Sequence, residues 1–276
     1  MNRPRRDPRT PPRLLTIAGS DSGGGAGLQA DLKAFAAHGV YGMSAVTAVT
    51  VQNTRGVTAV HPVPPAIVAA QIDAVLDDIG ADAVKIGMLG EAAVVVAVAE
   101  RLRAHGVAPI VLDPVMLAKG GAPLLEGAAV EALLAELLPL ATVVTPNLPE
   151  LARLTGLPVA SEAERRRAAE ALARRGPAVL VKGGHGEGPE VVDLLFAAGT
   201  WYRFPHPRLA AGSTHGTGCT LAAALAARLA RGEALPEAAA GAIEYVAGAI
   251  AAAYPLGGGI GPVDPLYRLP KEEMGR

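Results

Sequence analysis

The sequence predicts an α/β fold with a mainly parallel central sheet flanked by helices and a short antiparallel hairpin at the sheet edge. Short runs of Val, Ile and Leu alternate with helical stretches along the chain, as in strand–helix–strand units. Half of the 276 residues are hydrophobic but only 3% are aromatic, which is typical of aliphatic parallel sheets covered by helices. This length suits one large α/β domain better than two.

Short apolar runs mark the candidate strands. Six of them are expected to be parallel: residues 13–18, 44–51, 83–86, 109–112, 142–145 and 178–181. After Lys182 the apolar period changes, and residues 191–196 and 201–204, separated by Ala-Ala-Gly-Thr, predict the antiparallel edge hairpin.

Helical spacing of apolar residues places helices between these strands. Leu28, Leu32 and Phe35 recur before Gly39, and a similar series follows the Pro64-Pro65 pair. Ser161 and Glu164 form a candidate capping box for a helix that runs to residue 175. Two alanine-rich helices are expected at about 218–231 and 236–254.

The charge balance narrows the classes of partner. The formal net charge is −1, so no net field draws the chain to nucleic acid or to an anionic membrane. Small molecules are therefore the expected partners. The one cysteine, Cys219, has no partner for an intramolecular disulfide, which favours a reducing compartment such as the cytoplasm.

The chain ends differ in composition from the remainder. Residues 1–13 are rich in Arg and Pro, and the apolar run that follows is too short for a signal peptide. We expect a flexible basic tail at 1–13, a single domain at 14–267 and a second tail at 268–276.

Small and polar residues collect just after the predicted strands, where parallel sheets place their ligands. The first strand is followed by a glycine loop at 23–27, which fits neither the dinucleotide fingerprint nor the P-loop pattern. That loop alone fits a structural turn as well as a binding loop. Thr214 to Cys219 place two glycines around a threonine at a helix start, which suits either an anion nest or an ordinary helix start. His185 and His215 also lie in these loops, in a structural or a catalytic role.

Seven ordered segments together resemble the hydroxymethylpyrimidine and phosphomethylpyrimidine kinases of thiamine biosynthesis, within the ribokinase-like superfamily. The resemblance covers about residues 14 to 263 and implies a ribokinase-like three-layer sandwich. The segments are Gly-Gly-Ala-Gly-Leu-Gln-Ala-Asp (24–31), Val-Gln-Asn-Thr (51–54), Lys-Ile-Gly-Met (85–88), Asp-Pro-Val-Met (113–116), Thr-Pro-Asn-Leu-Pro-Glu (145–150), Val-Lys-Gly-Gly-His (181–185) and Thr-His-Gly-Thr-Gly-Cys (214–219).

The resemblance implies an ATP-dependent kinase that uses Mg²⁺ to phosphorylate 4-amino-5-hydroxymethyl-2-methylpyrimidine and then its monophosphate. It also implies a cytoplasmic homodimer. Gln52 would hydrogen-bond the pyrimidine, since its amide offers a donor and an acceptor. The remaining substrate-binding positions would be Gly19, Ala26, Asp31, Met88 and Val115.

The same resemblance assigns the phosphoryl-transfer residues. Asp113 and Glu150 would hold the metal, directly or through water, while Lys182, Thr217 and Asn147 would bind the nucleotide. The catalytic set would be Gly216, Gly218, Cys219 and Lys182.

Cys219 stands where many ribokinase-like relatives carry an aspartate base. A dianionic phosphate acceptor needs no base, and a carboxylate about 4 Å away would repel each unit of its charge by roughly 4 kcal/mol at an effective dielectric of 20. We therefore hypothesise that the neutral thiol lets one site accept both the alcohol and its phosphate. One departure from the family lies at 257–261, where the expected lysine is absent from the glycine-rich segment.

Three alternatives remain open from the sequence. A pyridoxal or pyridoxine kinase shares the fold and the anion hole, although Val-Gln-Asn-Thr and Lys-Ile-Gly-Met favour the pyrimidine. A nicotinamide-dependent oxidoreductase is disfavoured by the failed glycine fingerprint. A non-catalytic pyrimidine-binding protein would have no use for Asp113, Glu150 and Lys182 together.

Overall fold

The structure, a computed structural model, describes residues 9–116, 127–186, 188–209 and 212–269. Within these ranges the strands form one nine-stranded sheet. The strands are β1 (Arg13–Asp21), β2 (Tyr41–Asn53), β3 (Gly56–Pro62), β4 (Ala83–Ile86), β5 (Ile110–Leu112), β6 (Val143–Val144), β7 (Ala178–Val181), β8 (Glu190–Ala197) and β9 (Thr200–Pro207). The α-helices are α1 (Gly27–Ala37), α2 (Pro65–Asp78), α3 (Ala92–His105), α4 (Gly127–Ala132), α5 (Leu148–Thr155), α6 (Glu162–Ala173), α7 (Thr217–Ala230) and α8 (Leu235–Ala251).

The sheet has the strand order β3-β2-β1-β4-β5-β6-β7-β8-β9. Six neighbouring strands run parallel: β2, β1, β4, β5, β6 and β7. Strands β8 and β9 form the predicted antiparallel hairpin at one edge. The opposite edge carries β3, an antiparallel strand that we did not predict. Most of its side chains are exposed, so its sequence lacks the buried apolar run that marks the central strands.

Strand β1 lies where the winding of the sheet reverses. Its neighbours are β2 on one side and β4 on the other, so the connections that leave the carboxyl ends of β1 and β4 diverge. Such a switch point opens a crevice, the usual ligand position in doubly wound sheets. The fold therefore places the glycine loop 23–27 at the edge of a crevice.

Alternating residues of the central strands pack into two separate cores, one on each face of the sheet. Leu14, Val111 and Leu180 face the helices α1, α7 and α8, which contribute Phe35, the alanines of α7 and Tyr245. Leu15 and Leu112 face the opposite core, with α2 to α6. This sheet between two helical layers confirms the predicted three-layer architecture.

Local signals account for several helix ends. Ser161 and Glu164 form the predicted capping box of α6, although the helix ends at Ala173 rather than at 175. Helix α5 also begins with a capping box, formed by Asn147 and Glu150. Helix α7 follows Gly216, which has the left-handed φ of 79°, a conformation that favours glycine.

The domain boundaries at 14 and 267 stay a prediction. Most of the two expected tails, 1–8 and 270–276, lies outside the described residues, while Arg13 is already part of β1. No helix in the described part of the chain combines the length and the apolar character needed to cross a bilayer.

Candidate active site

A cavity of about 750 Å³ lies at the carboxyl edge of the sheet, above the switch point. Gln52, at the end of β2, and Gly218, at the start of α7, both line it. Of the residues predicted for the site, those that line the cavity are Gly19, Ala26, Gln52, Met88, Asp113, Val115, Asn147, Glu150, Lys182, Gly216, Thr217, Gly218 and Cys219. The structure thus brings the two predicted halves of the site into one space.

Asp31 is placed differently from the rest of that set. It is fully buried on α1, where its Oδ2 lies 2.8 Å from Lys85 Nζ and accepts a 2.6 Å hydrogen bond from the Thr16 hydroxyl. Burial opposes the charge of Lys85, but the carboxylate of Asp31 outweighs this effect and raises the pKa of the ammonium. Asp31 therefore supports the cavity floor from below through Lys85, which itself lines the cavity.

The glycine loop 23–27 wraps around the carboxylate of Asp21. That carboxylate accepts hydrogen bonds from the backbone N–H groups of Gly23, Gly25 and Ala26, at 2.8 to 3.0 Å. Its Oδ2 also lies 3.1 Å from Nε2 of His215. Burial alone would raise the pKa of Asp21, but the hydrogen bonds from His215 and the loop lower it overall. An ionised Asp21 thus holds the loop in shape.

The turn before α7 is shaped by two glycines. A Cβ on Gly216 would overlap the carbonyl oxygen of Gly25, and a Cβ on Gly218 would lie 3.3 Å from Lys182 Nζ. The free N–H groups of the first helical turn, with the positive end of the helix dipole, form an anion-binding position there. Lys182 adds a full positive charge beside it.

Lys182 lies between two acidic side chains. Its Nζ is 2.7 Å from Asp113 Oδ1 and 3.7 Å from Glu150 Oε2. Burial would raise the pKa of Asp113, yet the charges of Lys182 and Lys85 lower it overall. Burial also raises the pKa of Glu150, and here the field of Lys182 does not compensate. Glu150 therefore lacks a full counter-charge in this arrangement.

This donor set fits a magnesium ion only with help from other ligands. The described residues contain no group of three or more His, Cys, Asp and Glu side chains that could hold a metal by themselves. Asp113 and Glu150 supply the hard carboxylate oxygens that Mg²⁺ prefers, and Mg²⁺ at phosphoryl-transfer sites keeps several waters and phosphate oxygens. A second cation would also supply the charge that Glu150 lacks. The residues therefore fit the ion.

Glu150 and Asn147 have a structural task as well. Glu150 Oε2 accepts the backbone N–H of Asn147 at 2.8 Å, and Asn147 Oδ1 accepts the N–H of Glu150 at 2.9 Å. This reciprocal capping box fixes both side chains at the start of α5. The spacing Asn-x-x-Glu in the sequence is the signal that predicts it.

Cys219, in the first turn of α7, has a thiol whose pKa is raised. Burial raises its pKa to about 11, an effect that the nearby charge of Lys85 offsets only in part. The thiol is therefore protonated at neutral pH. A neutral group thus lies at the position proposed to face the phosphoryl acceptor.

Comparison with known proteins identifies the family. Residues 21–264 match the family model described as phosphomethylpyrimidine kinase. The chain belongs to the phosphomethylpyrimidine kinase family. The match spans the cavity-lining loops from Asp21 to the turn before α7.

Curated relatives of this phosphomethylpyrimidine kinase family member include a kinase and a bifunctional protein. It is 54% identical to the hydroxymethylpyrimidine/phosphomethylpyrimidine kinase of Streptomyces coelicolor over 258 residues, which cover 93% of this chain and 95% of that protein. It is 52% identical to the thiamine biosynthesis bifunctional protein ThiED of Geobacter sulfurreducens over 94% of this chain. The chain spans 53% of that bifunctional protein.

Solved structures similar to this family member include two kinds of kinase. An ADP complex of Bacillus subtilis pyridoxal kinase has a TM-score of 0.88 at 36% identity, covering 95% of this chain and 100% of that one. Phosphomethylpyrimidine kinase from Clostridium difficile has a TM-score of 0.77 at 41% identity, covering 86% and 98%. Both comparisons confirm the ribokinase-like fold expected from the sequence.

One wall of the cavity in this phosphomethylpyrimidine kinase family member was missed from the sequence. Helix α8 lines it with apolar side chains, and Arg208 and Leu209 after β9 continue it. The guanidinium of Arg208 donates to the carbonyls of Gly184, Gly186 and Gly188, so it fixes the loop after Lys182. The α8 residues are Ile243, Val246, Ala247 and Ile250. They follow the same helical period as core residues, so the sequence gives no signal that separates them.

Proposed function

We propose that this chain is an ATP-dependent kinase that phosphorylates 4-amino-5-hydroxymethyl-2-methylpyrimidine and then its monophosphate, in thiamine biosynthesis. The observation that carries this proposal is the shared cavity of Gln52 and Gly218. An amide that can read an aminopyrimidine faces the same space as a helix start that can hold a phosphoryl group.

Phosphoryl transfer depends mainly on positioning and charge neutralisation. In this proposal Lys182 contacts the nucleotide phosphates, and the N–H groups from Gly216 to Cys219 receive the transferring group. Asp113 and Glu150, with Asn147, hold Mg²⁺, which when bound neutralises charge on the phosphate oxygens. The apolar wall of α8 offers a surface for the nucleotide base.

The neutral thiol of Cys219 supports the two-step part of the proposal. A thiol with a pKa of about 11 removes no proton at neutral pH and repels no phosphate. The alcohol then loses its proton late, to a phosphate oxygen or to water, while the monophosphate needs no deprotonation. One site can serve both acceptors.

A coupled assay of ADP release with Mg-ATP tests this function. Turnover is expected with the pyrimidine alcohol and with its monophosphate. Pyridoxal is the second candidate substrate, because the chain resembles pyridoxal kinase in fold and its single cysteine lies in the cavity. Turnover on pyridoxal alone would falsify the pyrimidine assignment, and pyrimidine binding without turnover would indicate a non-catalytic binding protein.

The proposed assembly is a homodimer in the cytoplasm. Val49 and Val51 on β2 are 48% and 59% exposed, and Ala59 of β3 pairs opposite Val51 on the same face. An exposed apolar hairpin at a sheet edge is a natural self-association surface. Light scattering should give twice the mass of the chain, and Val51→Asp should shift it toward the monomer.

A further inference from the structure

His215 connects three parts of the site that are far apart in sequence. It lies in the turn before α7, and its backbone N–H donates to the carbonyl of Gly261 at 3.0 Å. Its side chain is 14% exposed, and its Nε2 lies 3.1 Å from Asp21 Oδ2 and 3.1 Å from Gln52 Nε2. A single ring nitrogen therefore faces both the glycine loop and the proposed pyrimidine-reading residue.

Asp21 decides where the proton of His215 lies. An ionised carboxylate is only an acceptor, and Asp21 already receives three backbone N–H groups. Its contact with His215 is favourable only when Nε2 carries a proton. The ring is held in this position, since a Cβ on Gly25 would lie 2.6 Å from His215 Cδ2.

The protonated Nε2 in turn fixes which way the Gln52 amide points. A 180° rotation about the last side-chain bond of Gln52 exchanges Nε2 and Oε1 without changing the shape of the group. In the structure Gln52 Nε2 faces the ring and Oε1 faces Thr50, which sets two N–H donors against each other once His215 Nε2 is protonated. Rotation of the amide brings the acceptor, Oε1, to the ring, where it shares the Nε2 proton with Asp21. The Gln52 amine then turns to the opposite side.

Thr50 favours the same orientation of the Gln52 amide from its other end. Its hydroxyl donates to the carbonyl of Ser20 at 2.9 Å and lies 3.2 Å from Gln52 Oε1, the position that the Gln52 amine takes after the rotation. A hydroxyl has one proton, so it can donate to Ser20 and still accept from the Gln52 amine. The three side chains therefore form one chain of hydrogen bonds with a single direction: His215 donates to Gln52, Gln52 donates to Thr50, and Thr50 donates to the carbonyl of Ser20.

From this network we infer that His215, with Asp21 and Thr50, is a positioning residue that sets the orientation of the Gln52 amide and thereby the substrate's edge that the site accepts. The inference rests on the proposed role of Gln52 in reading the pyrimidine. An aminopyrimidine presents a ring-nitrogen acceptor next to an amine donor, whereas the 4-oxo analogue presents a donor next to an acceptor. One orientation of the Gln52 amide pairs with the aminopyrimidine, and the reversed orientation pairs with the 4-oxo analogue.

The test compares kcat/KM for the 4-amino alcohol with that for its 4-oxo analogue. In His215→Leu the preference for the amino compound should fall by about tenfold or more, as for a lost bidentate base contact. His215→Gln places an amide N–H near the former Nε2 and should restore most of the preference. The KM for ATP should stay unchanged in both. An equal loss on both alcohols in His215→Leu, or no rescue in His215→Gln, would overturn the inference.

A second measurement needs neither a variant nor a substrate. Nitrogen-15 NMR of the histidine rings reports which ring nitrogen carries the proton, and His215 should carry it on Nε2. The tautomer protonated only on Nδ1 would contradict the inference. If the wild-type chain turned over neither alcohol, the proposed function would fail, while this tautomer would still report on the network itself.

Discussion

Lys182 Nζ contacts Asp113 Oδ1 at 2.7 Å across 69 residues of sequence. The pair joins the ends of β5 and β7, with the shorter β6 between them. A Cβ on Gly218 would lie 3.3 Å from the same ammonium. The positive charge is therefore held at the anion-binding turn by a carboxylate that also belongs to the proposed metal site.

Replacing Lys182 should affect the chemical step most. In Lys182→Met, kcat should fall by about 10²- to 10³-fold, the size expected when one preorganised charge is lost. Lys182→Arg should recover only part of the rate, because a planar guanidinium does not reproduce a compact ammonium. Steady-state kinetics with saturating ATP measure this loss. Arg103→Met, at an exposed ion pair with Glu136, is the control and should keep its kcat.

The buried pair of Lys85 and Asp31 predicts a large stability effect. Lys85→Met leaves the buried carboxylate of Asp31 without its counter-charge and should lower the free energy of unfolding by about 3–5 kcal/mol. The double variant Lys85→Met/Asp31→Leu should regain much of this loss, since no unpaired charge remains. Chemical denaturation measures both. The exposed pair lost in Arg103→Met should cost less than about 1 kcal/mol, and equal costs for the two pairs would contradict the interpretation.

Glycine at 216 is predicted to be required for both conformation and space. Gly216→Ala and Gly39→Ala each place a side chain at a positive φ, 79° and 68°, which should cost about 1–2 kcal/mol of stability. Nothing lies within 4 Å of a Cβ at Gly39, whereas a Cβ at Gly216 overlaps Gly25. Only Gly216→Ala should therefore also lower kcat, by about tenfold or more, because the anion turn shifts. Paired measurements of Tm and kcat separate the two effects, and similar rates in both variants would refute the packing argument.

The raised pKa of Cys219 predicts slow alkylation. With a pKa of about 11 the reactive thiolate is about 0.1% of the thiol at pH 8, compared with about a quarter for a free cysteine. The rate should keep rising with pH until about 11. Because the chain has one cysteine, iodoacetamide labelling followed by mass spectrometry reports on it alone. A plateau near pH 8.5 would show an ordinary thiol.

Charge at position 219 should discriminate between the two acceptors. Cys219→Asp places a carboxylate where the phosphorylated acceptor lies, and repulsion of roughly 4 kcal/mol per unit charge at about 4 Å applies only to the monophosphate. Its kcat/KM for the monophosphate should therefore fall much further than that for the alcohol. Cys219→Ser, which stays neutral, should lower both in similar proportion. The hypothesis fails if Cys219→Asp phosphorylates the monophosphate as fast as the parent enzyme.

The parts of the fold that follow from local signals could be predicted. Buried strands such as residues 83–86 carry continuous apolar runs, and the Ser161 capping box marks a helix start. Parallel topology then places the carboxyl ends of the six parallel strands at one edge, which accounts for Gln52, and the family resemblance adds the turn at Gly218 to the same site. Strand β3 was missed because its exposed side chains give no burial pattern.

Other features depend on pairing that no local pattern reveals. Asp31 and Lys85 are 54 residues apart, and the family resemblance places Asp31 in the pocket, whereas the structure places it in an ion pair beneath the pocket. Glu150 was predicted only as a metal ligand, but the same carboxylate also caps helix α5. Ile243 and Val246 share the helical period of the core, so only their position against the cavity distinguishes them.

The contact of Asp21 with His215 also bears on how the molecule is made. It spans 194 residues, and chains emerge from the ribosome amino terminus first. The glycine loop leaves the ribosome early but receives its last support only when α7 has followed. A polypeptide that has not yet reached residue 215 therefore lacks this contact, and its glycine loop is held only by its own backbone N–H groups.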